Sequence, residues 1–123
     1  MKQKIASLML VLALIGTMMA CSSEEPVDLE AVQAELTTNP EPVIAGSQAD
    51  LQITVTGMRV SDAARATFDV RIGDKPVLLD AVHEGDGVFS GAFTFPDNGV
   101  YTVYIHLYED DIHITKKKQV EVK

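Results

Sequence analysis

Three histidines, His83, His106 and His113, are the side chains in this sequence best suited to chemistry. His106 and His113 flank a short acidic segment between two stretches in which apolar and polar residues alternate. If Glu109 and Asp110 form a two-residue hairpin turn, His106 lies directly opposite His113 on paired strands. Directly opposed Cβ atoms are about 4.5–5.5 Å apart, so both imidazoles could bind one metal ion.

Another register would separate these two rings. With one more residue in the loop, His106 and His113 would face opposite sides of the sheet. The lysines at 116–118 also suit a core-facing strand poorly, so a second interpretation is a later strand start that leaves His113 in a long loop. Ile112 and Ile114 favour the tight turn, because both then face the core.

His83 and Met58 are the other candidate ligands. His83 precedes a glycine-rich turn and Met58 lies in a loop; in an immunoglobulin-like sandwich these loops and the one before His113 gather at one end. Imidazoles with a thioether suit copper, so the predicted metal ligands are His83, His106, His113 and Met58. A solvated strand end for His83 and a core position for Met58 are the alternative interpretations.

The segments around these residues show a period of two from residue 30 onward. Tyr101, Val103, Ile105 and Leu107, for example, alternate with more polar residues, which is typical of strands with one buried face. The predicted strands cover residues 31–37, 50–56, 66–72, 77–83, 88–95, 100–108 and 112–122. Residues 30–36 would also suit a helical turn, and adjacent Leu78 and Leu79 predict a bulge or irregular edge. Turn residues separate the segments, and together they predict an all-β, immunoglobulin-like antiparallel β-sandwich of about seven strands.

Tyr101 opens the sixth predicted strand after Asp97-Asn98-Gly99-Val100. An acidic residue, a glycine and a strand-opening tyrosine are typical of a tyrosine corner, in which the phenol bonds the nearby backbone. A turn followed by an ordinary aromatic strand residue is the alternative. The chain has no tryptophan and a single cysteine, so it lacks the disulfide and tryptophan of antibody domains.

That cysteine, Cys21, follows two lysines and an uncharged apolar stretch, and a small residue, Ala20, precedes it. This pattern is typical of a bacterial lipoprotein signal peptide, and the stretch is short for a transmembrane span of about 20 residues. The sequence predicts a signal peptide over 1–20, a lipidated tether over 21–29 and one domain over 30–123. The protein would then be anchored to the cell membrane by lipid on Cys21, facing outside the cytoplasm.

The net charge and the absence of catalytic motifs exclude several classes of function. Without residues 1–20 the chain carries 8 basic and 18 acidic residues, which argues against binding nucleic acid, since that needs clustered lysine and arginine. No phosphate-binding glycine loop or nucleophile elbow is present. The sequence therefore predicts a protein that is not an enzyme.

The segment from His83 to Tyr101 resembles the YtkA-like family of small exported bacterial domains, which are related to the FixH-like proteins. The shared pattern is a His-Glu-Gly-Asp-Gly turn, an aromatic strand, a Pro-Asp-x-Gly-x-Tyr corner and a His-bearing strand. The resemblance covers residues 42–123, although Ile114-Thr115 stands where members often have Met-Pro. It implies an immunoglobulin-like sandwich, and the FixH-like relatives are associated with assembly of haem-copper oxidases.

Two functions are compatible with the sequence. The first is a membrane-anchored extracytoplasmic lipoprotein that binds or delivers copper in support of a respiratory oxidase or metal homeostasis, with an envelope or oxidase-assembly protein as partner. The second is a protein-interaction module of an envelope complex that holds no metal.

Overall fold

The computed structural model describes residues 27–123, which form eight strands joined by short loops and contain no helix. The strands are β1 (Gln33–Asn39), β2 (Gln48–Thr56), β3 (Arg65–Ile72), β4 (Lys75–Asp80), β5 (Val82–Gly85), β6 (Val88–Thr94), β7 (Gly99–Glu109) and β8 (Ile112–Val122). The predicted signal peptide and its lipidation site Cys21 lie outside the described residues. The first strand is an edge strand and not a helical turn.

The strands make two four-stranded antiparallel sheets, ordered β1-β2-β6-β5 and β4-β3-β7-β8. In immunoglobulin lettering this is an A-B-E-D sheet facing a C-F-G sheet, with β4 added beside strand C. Alternate residues of each strand enter the space between the sheets. The largest fully buried side chains are there: Phe68, Phe89, Phe95, Leu51, Ile53 and Ile105. The predicted all-β sandwich is confirmed.

The single strand predicted over 77–83 is wrong, because the chain changes sheet within it. β4 pairs with β3, whereas β5 pairs with β6 in the opposite sheet. Ala81 lies between them, and its N–H donates to the carbonyl of Ala66 at 2.9 Å. The adjacent leucines themselves alternate regularly on β4: Leu79 packs against the core while Leu78 is 67% exposed.

Three loops meet at one end of the sandwich, as the sequence predicted. The β5–β6 turn is Asp86-Gly87, whose φ angles of 53° and 76° are the positive values that a tight hairpin turn requires. The carbonyl of Gly87 accepts from the N–H of Val55, just before the β2–β3 loop. The buried carboxylate of Glu109 accepts from the N–H and hydroxyl of Ser61 at 2.9 and 2.8 Å. These bonds tie the β2–β3 loop to both neighbouring turns.

The edge strand β8 carries two lysines on its core-facing side. Lys116 and Lys118 pair with Ile105 and Val103, which are fully buried, yet both lysines remain half-buried at the open border of the sheet. The aliphatic stems of such side chains can cover apolar surface while the ammonium groups reach water. The strand therefore starts at Ile112, and the interpretation of a late strand with His113 in a long loop is wrong.

Residues 27–123 contain both sheets and the whole described core, which extends from Val32 to Val122. A segment with its own core is expected to fold by itself, so this segment suits experiments in solution. No helix within residues 27–123 has the length and hydropathy needed to cross a membrane.

Candidate metal site on the outer face of one sheet

His106 and His113 lie together on the outer face of the β4-β3-β7-β8 sheet. Nδ1 of His106 is 3.3 Å from Nε2 of His113, and the two ring centroids are 5.5 Å apart. His106 is partly buried, with 24% of its side chain exposed, and His113 is exposed. The tight turn therefore brings the two imidazoles within reach of one ion.

The register of this hairpin differs from the predicted one. The turn residues are Asp110 and Asp111, so His106 lies opposite Thr115, and His113 lies opposite Tyr108. Glu109 stays in the ladder because its buried carboxylate holds the β2–β3 loop. Moving the turn by one residue moves the pairing by two, which keeps both histidines on the same face as diagonal neighbours.

The distance between the two nitrogens suits bidentate binding. With metal–nitrogen bonds of about 2.0–2.1 Å, a separation of 3.3 Å corresponds to an angle at the metal of roughly 104–111°. This is close to the tetrahedral value. Without a metal the same distance allows a weak hydrogen bond between the rings, with the donor set by the tautomer.

Asp69 on β3 lies beside the other ring nitrogen of His106. Its side chain is only 6% exposed; Oδ2 lies 3.6 Å from Nε2 of His106 and accepts from Arg71 Nη2 at 2.8 Å. In the tautomer with a proton on Nε2, facing this carboxylate, Nδ1 carries the lone pair, which can bind a metal ion or accept from the hydroxyl of Thr115 at 3.2 Å. A carboxylate behind a histidine is the usual support of a metal-binding imidazole. Asp69 Oδ1 is buried without a hydrogen-bond partner.

Aromatic and cationic side chains fix the surroundings of the pair. The ring of His113 stacks on Tyr108, with centroids 4.4 Å apart and planes 19° from parallel. Arg65 lies 5.9 Å from the Tyr108 ring centroid, and Arg71 lies 5.0 Å from that of Tyr104. These stacks restrict ring rotation, so the site is partly organised before any ligand arrives.

His83 and Met58 do not contribute to the pair formed by His106 and His113. His83 stacks on the core residue Phe89 with centroids 4.3 Å apart, and its Nε2 is buried without a hydrogen-bond partner. Met58 is partly buried and packs against the core. His83 is near the predicted end of the sandwich but points between the sheets, whereas the other two histidines point outward. Within residues 27–123 no three His, Cys, Asp or Glu side chains are grouped to hold a metal ion.

The hydroxyl of Tyr101 bonds the backbone at the start of its strand. It donates to the carbonyl of Asp97 at 2.8 Å and accepts from the N–H of Asp97 at 3.2 Å. This is the hydrogen bonding expected of a tyrosine corner. The ring packs against Phe95, with centroids 4.8 Å apart, so the corner closes the end of the sandwich away from the histidine pair.

The sequence reasoning missed Asp69. A signal was available, because Asp69 stands between Phe68 and Val70 in a central strand, where an acid without a partner would be unfavourable. The pattern could not name its partners, since Arg71 and His106 are brought to it by tertiary structure.

No family model matches the chain, and no curated protein matches it in sequence. Among solved structures, the crystal structure of an engineered protein, a target of the Northeast Structural Genomics Consortium, is similar with a TM-score of 0.55 and 19% sequence identity. The match covers 74% of this chain and 20% of that protein, so the chain spans about one fifth of its length. At this identity the likeness shows the fold alone, a β-sandwich.

Proposed function

We propose that this protein is a membrane-anchored extracytoplasmic lipoprotein of the YtkA-like family whose domain binds copper through His106 and His113. One observation carries the metal site: the two ring nitrogens lie 3.3 Å apart on one sheet face, with the buried carboxylate of Asp69 behind His106. Separate strands supply the two imidazoles, and the rigid ladder between them sets their spacing.

The donor atoms favour copper among divalent first-row ions. Two imidazoles suit zinc, copper, iron and nickel, and at such a site affinity is highest for Cu²⁺ in the usual order of these metals. The placement of Met58 in the core removes the thioether from this argument, and the placement of His83 removes the third imidazole. The ligand set that we propose is therefore smaller than the one predicted from the sequence.

Lipid on Cys21 would keep the domain at the membrane surface, where it could bind or deliver copper in support of a respiratory oxidase or of metal homeostasis. The domain acts as a binding protein and not as an enzyme. Its partners are the membrane and an envelope or oxidase-assembly protein, and not nucleic acid.

One observation favours the second function, a metal-free interaction module. Two arginine–tyrosine stacks, Arg65 with Tyr108 and Arg71 with Tyr104, lie on the same outer face. Tyrosine and arginine are enriched among the residues that dominate protein–protein binding.

Calorimetric titration of residues 27–123 with Cu²⁺ tests the metal site. We expect saturable binding that is largely lost in both His106→Ala and His113→Ala, since each removes a ligand. The matched control is His83→Phe, which removes the third imidazole and keeps an aromatic ring on Phe89; this variant should bind as the unaltered domain does. Absence of saturable binding, or equal binding by all variants, would leave the interaction module as the function.

A further inference from the structure

The histidine pair is an incomplete coordination site. It supplies two nitrogens, whereas ions that favour imidazole are commonly four-coordinate. No third His, Cys, Asp or Glu of residues 27–123 is placed to share a metal ion with the pair, since Asp69 faces the other ring nitrogen of His106. We propose that one copper ion bridges two copies of this chain, each contributing His106 and His113 through the same outer face. This inference rests on the proposed metal site.

The shape of the surface permits such a dimer. Two clefts, of about 480 and 520 Å³, are lined by residues such as Arg65 and Tyr108 in the first and Glu35 and Glu121 in the second; neither has His106 or His113 in its lining. His113 is exposed and 24% of the His106 side chain is exposed, so a second molecule can reach the pair from the outer face. Facing sheets pack about 10 Å apart, so a midway ion lies about 5 Å from each sheet, within the length of an imidazole side chain.

The spacing of the two nitrogens also supports a bridged dimer. Two pairs related by a two-fold axis through the ion complete a four-nitrogen site. Cu²⁺ favours square-planar nitrogen ligands, and each pair reaches that geometry when its two nitrogens approach from 3.3 Å to about 2.8–3.0 Å. A two-fold dimer uses the same patch on both copies, which matches a site that supplies half of the ligands.

Charge distinguishes this face from the opposite one. On the outer face of the β4-β3-β7-β8 sheet, three basic residues balance three acidic ones: Arg65, Arg71 and Lys117 against Asp69, Asp80 and Glu121. The outer face of the other sheet carries acids without a basic residue among its strands: Glu35, Asp50 and Glu84. In a chain with a formal net charge of −8, the balanced face is the one on which two copies meet without net repulsion.

Sedimentation of residues 27–123 at increasing ratios of Cu²⁺ to protein tests the proposal. The mass should double and reach its maximum at one ion per two chains. It should fall again when copper is in excess, because each chain then holds its own ion. His106→Ala and His113→Ala should remain monomeric at every ratio.

A matched pair of labelled variants tests which face is used. Gln119 and Gln52 are exposed on the outer faces of the two sheets. Residues 27–123 contain no cysteine, so Gln119→Cys and Gln52→Cys each accept one large polyethylene glycol maleimide. The label at position 119 should abolish the copper-dependent dimer but not copper binding, and the label at position 52 should leave both unchanged.

The outcomes separate the two proposals. Saturable binding that needs His106 and His113 but proceeds at one ion per chain, without dimers at any ratio, overturns the bridged dimer and leaves the metal site intact. Dimers that persist with the label at position 119 also overturn it. If copper binding does not depend on the two histidines, both proposals fail.

Discussion

Replacing Asp69 with asparagine tests whether this buried carboxylate supports copper binding by His106. The change keeps the size of the side chain and an oxygen that can face Nε2, but it removes the negative charge. Mutating the carboxylate that supports a metal-binding imidazole typically lowers metal affinity 10- to 100-fold. The distance of 3.6 Å between Asp69 Oδ2 and His106 Nε2 exceeds hydrogen-bond length, which places the expected loss near the lower limit, about tenfold or roughly 1.4 kcal/mol.

Asp80→Asn is the matched control, because it removes the same charge from the same face. Asp80 pairs with Thr67, and Thr67 pairs with His106, so Asp80 is two strands away, roughly 10 Å at the usual strand spacing. At that distance in water the attraction between its charge and a divalent ion is below about 1 kcal/mol and is screened further by salt. We expect less than about a threefold loss.

The assay is a competition titration in which a chelator of known affinity buffers free Cu²⁺, applied to the two variants and the unaltered domain under the same salt. Circular dichroism establishes that Asp69→Asn retains the sandwich. If both variants lose affinity equally, the effect is one of overall charge, and Asp69 does not position His106.

Three further predictions concern the fold and the anchor. Tyr101→Phe removes a donated and an accepted hydrogen bond at a partly exposed site, so it should lower the free energy of unfolding by about 1 kcal/mol and the melting temperature by about 4–8 °C. The control Tyr104→Phe, whose ring stacks on Arg71, should melt as the unaltered domain does. Coincident melting curves for all three proteins would contradict the tyrosine corner. Glu109→Ala leaves the Ser61 N–H without its partner and should lower the free energy of unfolding, measured with denaturant, by about 2–3 kcal/mol. Ser61→Ala, which keeps that N–H bonded, should lower it by about 1 kcal/mol. Equal losses would show that the hydrogen bond to the backbone contributes little. Cys21→Ser in the full chain should abolish lipidation and detergent partitioning. A variant that partitions as the unaltered protein does, and differs from it in mass only by the substitution, would refute the lipid anchor.

Most of the fold was predictable because alternation of apolar and polar residues is a local signal. It located six of the eight strands, and it placed the tight turn before Ile112 to within one residue. The division of the fourth predicted strand was not predictable in detail, since alternation says which side chains are buried but not which sheet buries them. Leu78 and Leu79 indicated an irregularity, yet the pairing of β4 with β3 and of β5 with β6 depends on the whole sandwich.

The site was predictable in part. Loop topology correctly placed His83 near the end that holds the other two histidines, but not the side to which its ring points. Around His83 the local pattern misleads, because apolar Val82 is 62% exposed while the imidazole stacks on Phe89. The exact register of the β7–β8 hairpin depends on Glu109. This acid is buried because it bonds Ser61, a residue distant in sequence, so the local acidic pattern does not reveal its burial.

The lysines on the core-facing side of β8 determine how copies of this protein behave at high concentration. Without their charges, Ile114, residues 116 and 118, and Val120 would form one continuous apolar row on an open edge, which is the pattern that lets strands of separate molecules add to each other irreversibly. Ammonium groups at 116 and 118 make such addition unfavourable. The copper-bridged dimer that we propose would join side chains and not strand edges, so a chelator would reverse it.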